Sequence, residues 1–212
     1  MARAQLEYLL RDLRTIRKHD EKMWRQFKKK MRLPGDDIVF HSTRFEVAIA
    51  AGLILRSMRL RKTDPPDFTI PTTGGDVFIE LTSRRLTEGS SANVEYRVKH
   101  AVAEKSKKGY AGRSTALCID ITNLAYNTTG TEEQLEPFRV RTIARELVQA
   151  SPFGAIILAV YQFNRDSRVP EFQPTFVRVD SQDIDPRLAA VLNTPFPRGN
   201  LRVRNFSVPM EG

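Results

Sequence analysis

Two stretches in the first half of the chain alternate apolar with polar residues. Phe68 and Ile70 belong to the first stretch, and Val77, Ile79 and Leu81 belong to the second. Alternation of this kind predicts β-strands. Between them, Gly74-Gly75-Asp76 favours a tight turn, because glycine accepts positive φ without steric penalty. We therefore predict a β-hairpin that ends near Thr82.

Each predicted strand carries one acidic residue, Asp67 on the first and Glu80 on the second. The alternation leaves both carboxylates free to converge near one point. Two carboxylates on adjacent strands suit a hard divalent cation such as Mg²⁺ or Mn²⁺, which prefers oxygen ligands. The hairpin therefore predicts a metal site, and a metal-dependent nuclease is the leading hypothesis.

A helical pattern precedes the hairpin, from His41 to Leu55. Its predicted core-facing stripe consists of Phe45, Ala48, Ile49, Gly52 and Leu53. Ser42 or Thr43 suits the N-cap, and Glu46 stands at capping-box distance from Thr43. Glu46 also lies beside the stripe rather than on a charged face. Two interpretations stay open for it, a third metal ligand or a cap for its own helix.

The rest of the chain alternates between helical and strand patterns, which predicts an α/β fold with a mixed sheet flanked by helices. A long polar loop at residues 122–137 suggests a functional segment. The predicted elements are a helix at 92–108, a strand at Ser114–Ile121, a helix at Phe138–Ala150, a buried strand at Gly154–Tyr161, an edge strand at Thr175–Val179, a short helix at Pro186–Leu192 and an extended tail at 195–212.

The N-terminal segment combines an apolar helical stripe with many basic residues, and His19-Asp20 suits a break into two helices. A linker near residues 33–37 divides the chain into a basic helical arm (1–35) and a core with a C-terminal extension (36–212). The arm could clamp DNA, lie on an anionic membrane or dock on another subunit, including a twofold mate. We favour packing for its stripe and phosphate contact for its charges.

Pro66-Asp67 and Glu80-Leu81-Thr82 resemble, in order and spacing, the two motif elements of the PD-(D/E)xK nuclease superfamily. The resemblance covers roughly residues 40–161. It implies a restriction-endonuclease-like core of αβββαβ order. It also implies that Asp67, Glu80 and Glu46 bind the metal, with the backbone carbonyl of Leu81 as a further ligand. The chain departs from the family at Thr82, which stands where the family usually has lysine.

The family's lysine polarises the attacking water and stabilises transition-state charge, and some members carry it on the following helix. Here Lys105 continues the apolar stripe of the helix predicted at 92–108, with Lys99 and Lys108 behind it. A buried ammonium group is costly without a partner, so Lys105 is our candidate for the relocated cation. The alternative is a lysine that snorkels to solvent. Arg84, on the Glu80 face of its strand, is a second candidate, and Thr82 could orient water or merely fill a strand position.

The net charge of +9 is concentrated in two segments. Residues 1–32 hold eleven Lys and Arg against four Asp and Glu, and residues 84–113 hold eight against three. Such segments beside an acidic site favour nucleic acid, DNA above all, although isolated basic runs are more often solvated helix faces. The proposed phosphate contacts are Arg25, Lys28, Lys29, Lys30, Arg84, Arg85, Arg97, Lys99 and Lys108.

Other chemistries lack support. The chain has no GxGxxG, Walker A or GxSxG sequence, and its three histidines lack metal-ligand spacing. A lone cysteine, Cys118, excludes an intramolecular disulfide and a cysteine-rich zinc site. No apolar run reaches membrane-spanning length and no signal peptide is recognisable, so we expect a cytoplasmic protein. Besides a nuclease, two alternatives remain: an inactive nucleic-acid-binding or subunit-docking protein of the same fold, and a docking arm beside incidental acids.

Overall fold

The computed structural model describes residues 2–32, 37–84, 94–126, 137–164 and 171–198. The helices in these ranges are α1 Ala2–His19, α2 Glu21–Met31, α3 Asp37–Ile54, α4 Val94–Ser106, α5 Thr122–Tyr126, α6 Pro137–Gln149 and α7 Pro186–Asn193. The strands are β1 Arg61–Lys62, β2 Phe68–Thr72, β3 Gly75–Ser83, β4 Thr115–Asp120, β5 Ala155–Asn164 and β6 Glu171–Asp180.

The six strands form one mixed sheet in the order of the sequence, from β1 at one edge to β6 at the other. β1, β2 and β3 are antiparallel, β3, β4 and β5 are parallel, and β6 returns antiparallel to β5. Each parallel connection contains helices, as parallel pairing requires. The predicted α/β mixed sheet flanked by helices is confirmed.

Helices cover both faces of the sheet, so the central strand β4 is buried at every position. Ala116 and Cys118 face a cluster that includes residues of α1, α2, α3 and α7. Leu117 and Ile119 face a second cluster, built with α4, α5 and α6. This alternation explains why β4 and β5 appear in the sequence as nearly continuous apolar runs.

The predicted hairpin is confirmed as β2 and β3. Thr72 pairs with Gly75, which leaves Thr73 and Gly74 as a two-residue loop. Gly74 and Gly75 have φ values of 95° and 127°, which residues with a Cβ rarely adopt. Phe68 pairs with Ile79, and this register brings Asp67 next to Glu80 at the opposite end of the hairpin from the turn.

The two N-terminal helices pack on α3 with their apolar stripe, as favoured from the sequence. Ile16, Met23 and Phe27 are buried within the same cluster as the sheet residues. The predicted break is confirmed at Asp20, whose side chain caps α2 by accepting the N–H of Met23 at 3.0 Å. Of the linker proposed near residues 33–37, residues 33–36 lie outside the described ranges and Asp37 begins α3. The domain division at residue 35 stays a prediction.

The start of α3 corrects the sequence prediction. The helix begins at Asp37, so Ser42 and Thr43 lie inside it, and Ser42 Oγ donates to the carbonyl of Val39 at 3.2 Å. Glu46 is therefore in mid-helix, so the alternative interpretation, in which it caps α3, is wrong. Burial extends beyond the predicted stripe to Val47, Ala50 and Ala51, because α3 is covered by α1 and α2 as well as by the sheet.

Several shorter elements differ from the sequence prediction. β1 was not predicted, and α5 occupies the start of the segment predicted as a loop, whose residues 127–136 lie outside the described ranges. The edge strand β6 extends beyond the predicted Thr175–Val179 at both ends. It can include Pro174 because an edge strand tolerates a proline. Most of the predicted tail, from residue 199 onward, also lies outside the described ranges. In the described part of the chain, no helix has the length and apolar character to cross a membrane.

Candidate functional site

Asp67 and Glu80 lie side by side at the end of the hairpin, and each carboxylate accepts a backbone N–H from across the hairpin. The backbone N–H of Asp67 donates to Glu80 Oε2 at 3.2 Å, and the backbone N–H of Leu81 donates to Asp67 Oδ2 at 2.8 Å. The side chains of Asp67 and Glu80 are only 13% and 4% exposed. The structure thus brings together the two acids that the strand pattern predicted would converge.

Lys105 completes one side of this pair. Its Nζ lies 2.5 Å from Glu80 Oε1. α4 packs on the sheet through Val98 and Val102, both buried, and Lys105 follows on the same side of the helix. Its ammonium group therefore contacts Glu80 rather than extending fully into solvent.

Lys62 lies on the other side of the pair, at a position that no pattern in the sequence singled out. Its Nζ lies 3.1 Å from Asp67 Oδ1 and 2.8 Å from Glu46 Oε2. The side chain is only 5% exposed. Burial would lower the pKa of Lys62, but the carboxylates of Glu46 and Asp67 outweigh it, and the pKa is raised above its ordinary value of 10.5.

Glu46 faces lysines rather than the other two acids. Besides Lys62, it contacts Lys30 Nζ at 3.4 Å through both carboxylate oxygens. Lys30 was predicted to contact phosphate and instead reaches this carboxylate from α2. Among the residues that the structure describes, no three His, Cys, Asp or Glu side chains form a group able to hold a metal ion. Glu46 is joined to Asp67 only through the ammonium group of Lys62.

The donor set of Asp67 and Glu80 fits a hard divalent cation in its chemistry. Both residues offer carboxylate oxygens, and each oxygen can accept more than the one N–H that it now receives. Leu81, whose carbonyl was predicted as a ligand, uses its N–H to hold Asp67. The site therefore offers two protein carboxylates to a metal, with Glu46 held apart by its lysines.

Tyr110 is a further member of the site that the sequence did not reveal. Burial raises the pKa of its phenol, and a hydrogen bond to Glu80 with the negative charges of Glu80, Asp67 and Asp64 raises it further. The backbone is held by Thr115 Oγ1, which donates to the Tyr110 carbonyl at 2.6 Å. The phenol therefore stays protonated at neutral pH.

The other predicted cations of the second basic segment, so far as the structure describes them, make no ion pair with Asp67 or Glu80. Arg84 pairs with Glu104 at 2.7 Å rather than with Glu80, and Lys99 pairs with Glu95 and Glu146. Arg97 is half-buried on α4 and Lys108 is exposed beyond its end. Thr82 is half-buried on the Glu80 side of β3, and Arg85 lies outside the described residues. Among the residues of this segment that the structure describes, Lys105 is the cation that reaches the acidic pair.

Of the predicted contacts on α2, Arg25 pairs with Glu21 at 3.0 Å, and Lys28 lies over the Trp24 ring. Lys29 is exposed. These three side chains thus remain on the solvent side of the helix, whereas Lys30 turns to Glu46.

Comparison of the chain with protein-family models, with curated proteins and with solved structures found no match in any of the three. The resemblance to the PD-(D/E)xK superfamily therefore stays a prediction that rests on the motif residues themselves.

Proposed function

We propose that the protein is a metal-dependent nuclease that hydrolyses phosphodiester bonds, with DNA as the favoured substrate. The observation that carries the proposal is that a backbone N–H across the hairpin holds each carboxylate, the Asp67 N–H on Glu80 and the Leu81 N–H on Asp67. This arrangement fixes two acids at one point in advance, and such preorganisation is a main source of catalytic stabilisation. The order α3-β1-β2-β3-α4-β4 agrees with the αβββαβ order that the resemblance implies, and so supports a restriction-endonuclease-like core.

Asp67 and Glu80 would hold one Mg²⁺ or Mn²⁺ through their carboxylate oxygens. A bound ion would lower the pKa of a water molecule and stabilise negative charge on the scissile phosphate. Glu46 has a different task from the ligand role that the resemblance implies. Its contacts with Lys62 and Lys30 support a positioning role, in which it holds Lys62 against Asp67.

Two lysines supply the positive charge that Thr82 lacks. Each proposed ligand has its own ammonium group, Lys105 on Glu80 and Lys62 on Asp67. We assign the catalytic role to Lys105, because its side chain is 22% exposed against 5% for Lys62. A group that touches the substrate must be reachable from solvent. Beside Glu80, the ammonium group of Lys105 would orient the attacking water and stabilise the negative charge that develops on the phosphate.

The decisive experiment incubates the full chain with supercoiled, linear and single-stranded DNA and with RNA, in Mg²⁺, in Mn²⁺ and in EDTA. We expect cleavage with either metal and none in EDTA. Asp67→Asn and Glu80→Gln should each abolish cleavage while binding is retained. A matched control is Asp76→Asn, on the same hairpin but at its turn, where Asp76 pairs with exposed Arg61.

The control variant should cleave at the wild-type rate. Two outcomes contradict the proposal: wild-type cleavage by the Asp67→Asn protein, or no cleavage of any nucleic acid that the protein binds.

A second candidate is an inactive protein of the same fold that binds nucleic acid or docks on another subunit. One observation favours it, namely that Lys62 and Lys105 already neutralise the two carboxylates. Among the described residues, no third metal-ligating side chain joins the pair. Binding that is identical in metal and in EDTA, together with no cleavage, would select this candidate.

A further inference from the structure

α2 carries a row of cations on the side that faces away from the core. Arg25, Lys28, Lys29 and Arg32 are spaced at i, i+3, i+4 and i+7, which places them on one side of the helix and its C-cap. Together with Trp24 they line an open groove of about 480 Å³. The opposite side of the helix is anchored, because Met23 and Phe27 are buried.

The row is poorly balanced by negative charge. Arg25 pairs with Glu21 at 3.0 Å. Among the described side chains, no carboxylate lies within ion-pair distance of Lys28, Lys29 or Arg32. Like charges four residues apart destabilise a helix by about 0.2–0.5 kcal/mol per pair, and this row contains two such pairs. Lys28 and Lys29 lie in the last turn of α2, where cations complement the helix dipole. That effect does not require the cations to line one groove, whereas binding to a polyanion uses this arrangement.

Trp24 organises the cations at one end of the groove. Its ring centroid lies 4.8 Å from the Arg17 guanidinium carbon and 4.7 Å from Lys28 Nζ. These cation–π contacts come from both N-terminal helices and hold the two side chains in place. The ring is half-buried and packs against the core, so the groove is built on a fixed support.

We propose that the groove of Trp24, Arg25, Lys28, Lys29 and Arg32 binds the phosphodiester backbone of a nucleic-acid chain that leads to the Asp67–Glu80 pair. The proposal rests on the proposed function and names where its substrate is held. At about 1.5 Å per residue, Arg25 to Arg32 spans about 10 Å, the axial length of about three nucleotide steps. The next residue after Lys29 is Lys30, which contacts Glu46, so α2 connects the groove to the site.

The burial of α2 decides between nucleic acid and an anionic membrane. A helix that binds a membrane surface needs a free apolar face as well as a basic one. The exposed fractions of Met23 and Phe27 are 1% and 0%, so this apolar face is already used in the core. What α2 presents to a partner is therefore charge, which fits a phosphate backbone better than a lipid surface.

Binding is tested on the full chain in EDTA, so that cleavage does not interfere. The probes are labelled short oligonucleotides of single-stranded DNA, double-stranded DNA and RNA. Trp24 is the sole tryptophan, so its emission reports directly on the groove. We expect bound oligonucleotide to change that emission. The variant Lys29→Gln/Arg32→Gln should lose about tenfold in affinity and lower the slope of log affinity against log salt by about 2 for a duplex.

The matched control is Arg14→Gln/Lys18→Gln, which removes the same charge from exposed positions on α1 outside the groove. Its affinity should fall by less than about twofold at moderate salt. Equal losses in the two variants would overturn the proposal. So would unchanged Trp24 emission with oligonucleotide bound, or binding to phosphatidylserine vesicles without binding to any oligonucleotide.

The outcomes separate this proposal from the nuclease proposal. Groove-dependent binding without cleavage in Mg²⁺ supports the groove and removes the nuclease. Cleavage with equal binding by both double variants supports the nuclease and removes the groove.

Discussion

Lys62 Nζ lies 2.8 Å from Glu46 Oε2 and thereby joins the edge strand β1 to α3. The same ammonium group contacts Asp67, so one buried lysine is paired with two carboxylates. Charges of this kind are costly to bury and are tolerated when they are paired. The Lys62 ammonium group therefore explains how the folded protein can bury the carboxylates of Glu46 and Asp67 on either side of it.

Loss of the Lys62 ammonium group should destabilise the fold. In Lys62→Met, the Glu46 and Asp67 carboxylates, 12% and 13% exposed, lose the cation that compensates them. Breaking a buried ion pair costs about 3–5 kcal/mol, so we expect the free energy of unfolding to fall by about 3 kcal/mol. Urea denaturation at neutral pH measures this change.

The neighbouring residue provides the control for this prediction. Arg61 pairs with Asp76 on the surface, where the two side chains are 58% and 39% exposed. Arg61→Met should therefore cost less than about 1 kcal/mol. Adding Glu46→Gln to Lys62→Met should recover part of the lost stability, because it removes one uncompensated charge. Equal effects of the Lys62 and Arg61 substitutions would contradict the buried-pair interpretation.

If the protein is a nuclease, Lys105 should contribute to the chemical step. Lys105→Ala removes the ammonium group beside Glu80, and loss of one preorganised donor of this type costs about a hundredfold or more in kcat. Lys107→Ala is the matched control, since Lys107 is exposed two residues further on. Single-turnover cleavage measures both variants, with oligonucleotide affinity determined in parallel.

Thr82 offers a rescue for the same prediction. It lies on the Glu80 side of β3, at the position where the resemblance places lysine. In the Lys105→Ala background, Thr82→Lys should therefore restore part of the lost rate. A wild-type rate in Lys105→Ala alone would remove Lys105 from the mechanism, and the rescue variant would then have nothing to restore.

The parts of the fold that the sequence predicted are those with long periodic patterns. The alternation of β2 and β3, with Gly74 at the turn, was sufficient to predict the hairpin and the convergence of Asp67 with Glu80. Lys105 was recognisable because a lysine that continues an apolar stripe needs a partner. Each of these signals is local to one or two elements.

The parts that the sequence did not predict depend on contacts between distant elements. β1 has two residues, too few for any alternation, so Lys62 gave no signal of its own. Tyr110 lies in a loop after α4, where periodicity says nothing about its contact with Glu80. α3 is buried on more sides than its predicted stripe because α1 and α2 pack against it. No pattern within α3 itself reveals this packing.

The phenol of Tyr110 should titrate at a higher pH than the phenol of an ordinary tyrosine. Burial, Glu80 and Asp67 all raise its pKa above the usual value of 10.0. A raised pKa contributes stability that is fully present below pH 10 and is lost as the pH rises through the folded-state pKa. Phenolate absorbance, recorded during an alkaline titration of wild type and Tyr110→Phe, isolates this group.

The difference between the two titration curves should lie above pH 10. Tyr96, which is 62% exposed, provides the control through Tyr96→Phe. A Tyr110 difference curve that coincides with the Tyr96 curve would show that the phenol is not held at the acidic pair.

Cys118 should report unfolding of the sheet. It is fully buried in β4, and burial raises the pKa of its thiol well above the ordinary value of 9.0, with Asp120 acting in the same direction. Only the thiolate reacts with thiol reagents, so the native wild-type protein should label far more slowly than the urea-unfolded protein.

The labelling of Cys118 should also respond to the loss of Lys62. If the opening of the sheet equilibrates before the reagent reacts, the labelling rate follows the population of the open state. The loss of about 3 kcal/mol expected in Lys62→Met should then accelerate labelling by about a hundredfold if that loss appears in full in the opening reaction. Native wild-type labelling as fast as that of unfolded protein would contradict the burial of Cys118.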